Sequence, residues 1–179
     1  MNDKQFNDFV LQSGLVLGLV YGITTFITYF MGVSVMVSWW VGLFFIGLAI
    51  GAPIYYGVKW RQFKEGYLEF KPAFMVIFLI SALGGLISTI FNFALYTIID
   101  PDLPEVLFNE ALESTVSLLE RMGTPEADID ETIEKMQSEQ REYGVIAALE
   151  GYGYSLLLGA FIALVGGAII RKNPPVFGE

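Results

Sequence analysis

The chain has 179 residues, is 54% hydrophobic, and carries 19 acidic against 10 basic residues for a formal charge of −9. It contains neither Cys nor His, so disulfides, thiolate chemistry, imidazole acid–base catalysis and Cys/His zinc sites are excluded by inventory. The acidic balance also argues against nucleic acid, whose phosphates would repel such a surface.

Four apolar stretches organise the chain, at about residues 9–31, 38–58 and 73–99 and again over Ala147–Ile170. Each meets the ~20 residues needed to cross ~30 Å of hydrocarbon as a helix. Their apolar residues form unbroken runs, not half-polar stripes, so lipid is the better solvent for them. The expected fold class is therefore all-α membrane, an up-down bundle of four transmembrane helices.

The first span is too long for a signal-peptide apolar region, has no basic leader beyond Lys4 and lacks an Ala-x-Ala site, so it is expected to stay as a permanent helix. Gly14, Gly18 and Gly22 lie on one of its faces as two successive GxxxG steps. The step from Met31 to Ser38 is short and predicts a tight hairpin into the second span. That span opens on Trp39 and Trp40, carries Gly47 and Gly51, and meets Pro53 about one turn before its expected end, where a bend or fray should follow. The third span pairs Ser81 with Gly85 and Gly84 with Ser88, and holds Asn92. The fourth carries Gly159, Ala163 and Gly167. In lipid, helices associate through close backbone approach, which small residues permit. These stripes serve either to hold the four helices of one chain together or, with the first span's stripe in the lead, to build a homodimer.

Between the third and fourth spans lies a polar insert, residues 100–143, with 13 acidic and 3 basic residues. Asp102 and Glu105 form a capping-box pattern, an apolar stripe follows from Leu103 to Met122, and Gly123 marks a stop. Thr124 and Pro125 then open a second helix with Glu126 and Asp128 in its first turn and a narrow stripe of Ile129, Ile133 and Met136. The two stripes should zip together or lie on the membrane surface. Nothing from Glu126 to Tyr143 forces a stop, so the second helix is free to run on into the fourth span, with Gly144 as the expected hinge. Asp128, Asp130, Glu131 and Glu134 lack the loop glycine and alternating ligands of an EF-hand and read as a solvated face. No metal site and no cofactor are expected.

Charge sets the expected orientation. With both termini cytoplasmic, seven of the ten Lys and Arg lie inside (Lys4, Lys59, Arg61, Lys64, Lys71, Arg171 and Lys172) and Arg121, Lys135 and Arg141 lie outside. Residues 100–143 are then extracytoplasmic, and residues 144–179 hold the fourth helix and a short cytoplasmic tail. Tyr29, Tyr96 and Tyr143 join the two tryptophans at the outer face, while Tyr55, Tyr56, Trp60 and Tyr67 gather at the inner one.

Candidate functional groups are few. Glu150 is the one acid within reach of the hydrocarbon in the fourth span, and about twenty residues at ~1.5 Å each separate it from Ile170, at the outer boundary. Tyr154, one turn further in, is placed to hydrogen-bond it. Asn92, with Ser88 and Thr89 nearby, is the other polar candidate. No nucleophile–base pair, phosphate loop or metal triad is present, so an enzyme is not expected.

Local signatures resemble a bacterial family known as "domain of unknown function 4199". Ser13-Gly14-Leu15-Val16-Leu17-Gly18-Leu19 is similar to its glycine-bearing first helix. Gly66-Tyr67-Leu68-Glu69-Phe70, with Ala73 and Phe74, resembles its entry into the third helix, and Asp100-Pro101 its charged insert. Lys71-Pro72 departs from the family's usual small residue before the third helix. The resemblance implies a four-helix membrane protein and brings no catalytic residues. The expected role is a non-catalytic accessory or scaffold subunit in the bacterial inner membrane, bound to a membrane-protein partner such as a glycosyltransferase or a transport complex. The alternative is a small transporter or channel using the polar residues of the bundle.

Overall fold

The structure, a computed structural model, describes residues 3–140 and 142–173. Arg141 and the tail beyond Asn173 lie outside the described residues. The chain forms α1 (Asp3–Met31), a short α2 (Val33–Met36), α3 (Trp39–Phe63), α4 (Phe70–Ala94, prolonged by a π-helical turn, Leu95–Ile99), α5 (Leu103–Arg121), α6 (Glu126–Glu139) and α7 (Val145–Ile170). Four of these, over Lys4–Met31, Trp39–Phe63, Phe70–Ile99 and Val145–Ile170, are long and apolar enough to cross a membrane. This is a multi-pass, all-helical membrane protein.

Local sequence explains where the helices start and stop. Gly32, at φ 109°, breaks α1 from α2 in a region of backbone space that favours glycine. Ser38 Oγ folds back onto the Ser34 carbonyl at 2.6 Å and tightens the turn into α3. Pro53 is buried inside α3, and the helix continues through it to Phe63, past the expected end at residue 58. Pro72 falls in the first turn of α4, where the missing N–H has no intrahelical acceptor to serve. Gly123, at φ 73°, follows the end of α5, and the Thr124 N–H closes onto the Leu119 carbonyl.

Three expectations for the insert need correction. Asp102 sits at the N-cap of α5 but makes no side-chain capping bond, so the capping box does not form. The chain does not run from α6 into the fourth span: α6 stops at Glu139, and α7 starts afresh after an extended Gly144. The N-cap of α6 is Pro125, one residue later than the Thr124 expected.

α4 is the axis of the bundle, with α1 and α7 packed along it and α3 touching it less closely. A Cβ on Gly14, Gly18 or Gly22 would stand 2.6 Å from Leu83 Cβ, 2.5 Å from Ile87 Cβ or 2.7 Å from the Phe91 ring. The glycine stripe of α1 is thus occupied by α4 of the same chain. On the other side, Gly159 faces Ser81, Gly167 faces the backbone of Phe74, and Ala163 between them is fully buried. Small residues let these backbones approach, and dispersion holds them.

The two ends of the bundle differ. At the end where α1 begins and α7 finishes, Phe6 and Phe9 pack on Trp60 with ring centroids 5.4 and 5.0 Å apart, and Phe63 stacks on it at 5.5 Å. Lys64 Nζ lies 5.1 Å from the Trp60 ring centroid, in cation–π range. Arg61 donates to the Ile170 carbonyl at 2.9 Å, capping α7, while Leu68 and Lys172 exchange two backbone bonds of 2.8 Å. At the insert end, the Tyr29 hydroxyl donates to Asp100 Oδ2 at 3.0 Å and Ser34 Oγ to Glu110 Oε1 at 3.0 Å.

Candidate functional site

α3 meets the bundle closely near the terminal end and leaves it open nearer the insert. At Gly57 a Cβ would stand 2.7 Å from Ile170 Cδ1 and 3.0 Å from Ile77 Cγ1. At Gly42, Gly47 and Gly51 it would meet nothing within 4 Å. The close packing expected at Gly47 and Gly51 is therefore absent within the chain: both glycines are exposed, and beside them Phe45, Ile46, Ala49 and Ile50 face a gap. That gap is a cavity of about 680 Å³ bounded by α1, α3, α4 and α7, a volume within the usual range for small-molecule pockets.

The cavity has one end. Its lining residues farthest from the insert include Ile50, Ser81 and Ile162. One turn further along each helix, Ile54, Ile77 and Gly166 close together: a Cβ on Gly166 would lie 2.9 Å from Ile54 and 3.0 Å from Ile77. Towards α1 it is walled by Tyr21 and Phe45, stacked at 6.2 Å. Ile46, Ile50 and Leu158 form an exposed apolar rim, so the cavity opens sideways, where lipid would stand.

One wall carries polar groups in register. Ser81, Gly85, Ser88 and Asn92 recur at helical spacing on one face of α4 and all line the cavity. Thr89 Oγ1 is satisfied by the Gly85 carbonyl at 2.9 Å, and across the interface Tyr152 donates to the Ala82 carbonyl at 3.3 Å. Ser81 Oγ is buried without a hydrogen-bond partner, and Asn92 Nδ2 reaches Ser88 Oγ at a long 3.5 Å. A buried polar atom left unsatisfied costs about 1–3 kcal/mol, so this wall holds unspent hydrogen-bonding capacity.

A second cavity, of about 740 Å³, lies at the insert end between the π-helical turn, the start of α5 and the approach to α7. Thr97, Gln140, Glu105 and Glu142 give it a polar lining with two carboxylates, and no Lys or Arg is among its described lining residues. Tyr143 forms part of the wall of both cavities, packed edge-on against Tyr96 with centroids 4.9 Å apart and planes at 89°. Burial pushes the Tyr143 phenol up from its ordinary range, which keeps it protonated and able to donate. The π-helical turn carries Tyr96 and Thr97; such turns redirect side chains and recur at functional positions.

Of the three candidate residues, Asn92 lines the inner cavity. Glu150 stands exposed on the second turn of α7, and Tyr154 is 72% exposed on its outer surface; neither lines either of these two cavities. Asp128, Asp130, Glu131 and Glu134 are exposed along α6. Reading the spans one at a time missed Tyr143, Ser81 and the pair Glu105 and Glu142. The spacing of Ser81, Gly85, Ser88 and Asn92 was the one available signal.

A family model described as "Protein of unknown function (DUF4199)" matches residues 12–172, which take in both cavities and nearly all of the four spans. The chain belongs to that family. No curated protein and no solved structure matches it. Membership in DUF4199 assigns no reaction, so functional argument rests on the geometry above.

Proposed function

We propose that this DUF4199 protein is a non-catalytic accessory or scaffold subunit of an assembly in the bacterial inner membrane. Both termini are placed in the cytoplasm and residues 100–143 outside it, in keeping with the Lys and Arg distribution. The observation that carries the reading is the form of α5. It is tied to the bundle at its root, where Leu103 is buried and Glu110 meets Ser34, yet Leu118 (57% exposed) and Met122 (72%) stand open near its far end. Exposed apolar side chains set among charges suit a protein contact. The partner would be another membrane protein, such as a glycosyltransferase or a transport complex.

The alternative of a small transporter or channel draws on Asn92 and the serines of the inner cavity. The tight layer of Ile54, Ile77 and Gly166 argues against it, since a conduit would need to pass there. Two measurements test the accessory reading. A photo-crosslinking amino acid at Leu118 or Met122 in living cells should capture one recurrent membrane protein; recovery of this chain alone, repeated in mild detergent, would sink it. A cysteine near Asp128 should react with an impermeant reagent in intact cells, and reaction only after the cytoplasm is opened would reverse the orientation.

A further inference from the structure

The inner and outer cavities share a wall residue, and their chemistries are complementary halves of one shape. The inner one runs along α7 from Ala147 to Ile162, fifteen residue steps or roughly 22 Å, about three-quarters of the ~30 Å hydrocarbon core. It is mostly apolar, blind at its deep end and open at its side through Ile46, Ile50 and Leu158. A blind apolar slot of that length matches an alkyl chain, and the side opening lets a chain enter from the bilayer without crossing water. At the other end lies the polar chamber, with the carboxylates of Glu105 and Glu142 in its lining. Phosphate and carboxylate heads are disfavoured there by charge, whereas an ammonium head is favoured. Tyr143 lines both chambers, and with Asn92 and Ser88 on the inner side it offers hydrogen bonds to the polar link between chain and head.

We propose that the two cavities form one site for an amphiphile with a single long alkyl chain and a cationic head. The chain lies between α3, α4 and α7, and the head lies against Glu105 and Glu142. This site is independent of the partner reading above, because it needs neither the tip of α5 nor another protein.

The test uses the full chain in nanodiscs of phosphatidylethanolamine and phosphatidylglycerol, with octadecylamine carrying a mid-chain diazirine as probe. Photolabelling should map to cavity-lining positions on α3, α4 and α7. Octadecylamine should compete about five-fold better than octadecanoic acid, the scale of a partly exposed ion pair. Ala49→Phe and Ser88→Leu each fill the inner cavity from a different helix, so one serves if the other fails to fold; either should remove the cavity label while leaving the melting profile of the bundle in place. Glu105→Gln with Glu142→Gln should bring the two competitors level. Label confined to the lipid-facing positions Leu157 and Ile169, or unchanged by both filling variants, overturns the site. Equal competition by acid and amine in the unmodified protein overturns the cationic head.

Discussion

The sharpest energetic prediction concerns Gly18→Ala on α1. The added methyl carbon would lie 2.5 Å from Ile87 Cβ, 2.7 Å from its Cγ2 and 3.0 Å from its Cδ1. A clash with a side-chain tip can be relieved by a new rotamer, but Cβ is fixed to the backbone of α4, so the helices themselves must separate. The same stripe is occupied one turn either way, at Leu83 and Phe91, which resists a local adjustment. Overpacking of this kind costs about 1–3 kcal/mol. Taking ~2 kcal/mol, the equilibrium for opening the bundle shifts roughly thirty-fold. Alanine's better helix propensity offsets little, because a span parted from its neighbours stays helical in the bilayer, where its backbone has no other hydrogen-bond partner. SDS titration from mild-detergent micelles, followed through the fluorescence of the buried Trp60, should show an earlier midpoint for Gly18→Ala. Gly47→Ala, placed in open space, should remain within about 0.5 kcal/mol of the parent. Equal midpoints for the two variants would refute the argument that α1 and α4 are in backbone-limited contact.

Other perturbations follow from the same contacts. Trp60 is 1% exposed with its Nε1 unpartnered, so Trp60→Phe keeps the ring cluster, removes an orphan donor and should change stability by less than ~1.5 kcal/mol. Trp60→Ala should cost about 3–5 kcal/mol, and calorimetry of both would separate ring packing from the indole N–H. Arg61→Ala uncaps the Ile170 carbonyl and should cost about 1.5–3 kcal/mol less a discount for its partial exposure, with faster hydrogen exchange at the last turn of α7. Tyr29→Phe removes the bond to Asp100 and should lower the melting midpoint only slightly, an effect measurable against Tyr29→Phe combined with Asp100→Asn.

Legibility in the sequence followed the physics of each feature. The spans could be read because length and apolarity alone decide whether a helix suits hydrocarbon. Gly123 could be read as a break because positive φ selects glycine, whereas Gly32, at φ 109°, was hidden in a step read only as short. Gly14, Gly18 and Gly22 and the stripe at Gly47 and Gly51 look alike on paper, yet one packs and the other does not. Spacing defines a face but not what that face meets, and the buried residues of α3 are Val41, Pro53, Gly57 and Trp60, not Gly47 or Gly51. The cavities were hidden for the same reason: they arise from the gap between helices. The π-helical turn carries no sequence signature. Glu150 drew attention as an acid near lipid, while Asn92 mattered through its neighbours on α4.

The central place of α4 bears on how the protein is made. α1 and α3 enter the membrane first, and their backbones stand apart, bridged by rings such as Phe9 on Tyr56 and Tyr21 on Phe45. A nascent chain halted before residue 70 would be a pair of rods held by side-chain rings, its glycine groove vacant and open to any passing helix. Synthesis of the third span supplies the spine on which the earlier two settle, so quality control during insertion has its decisive moment there.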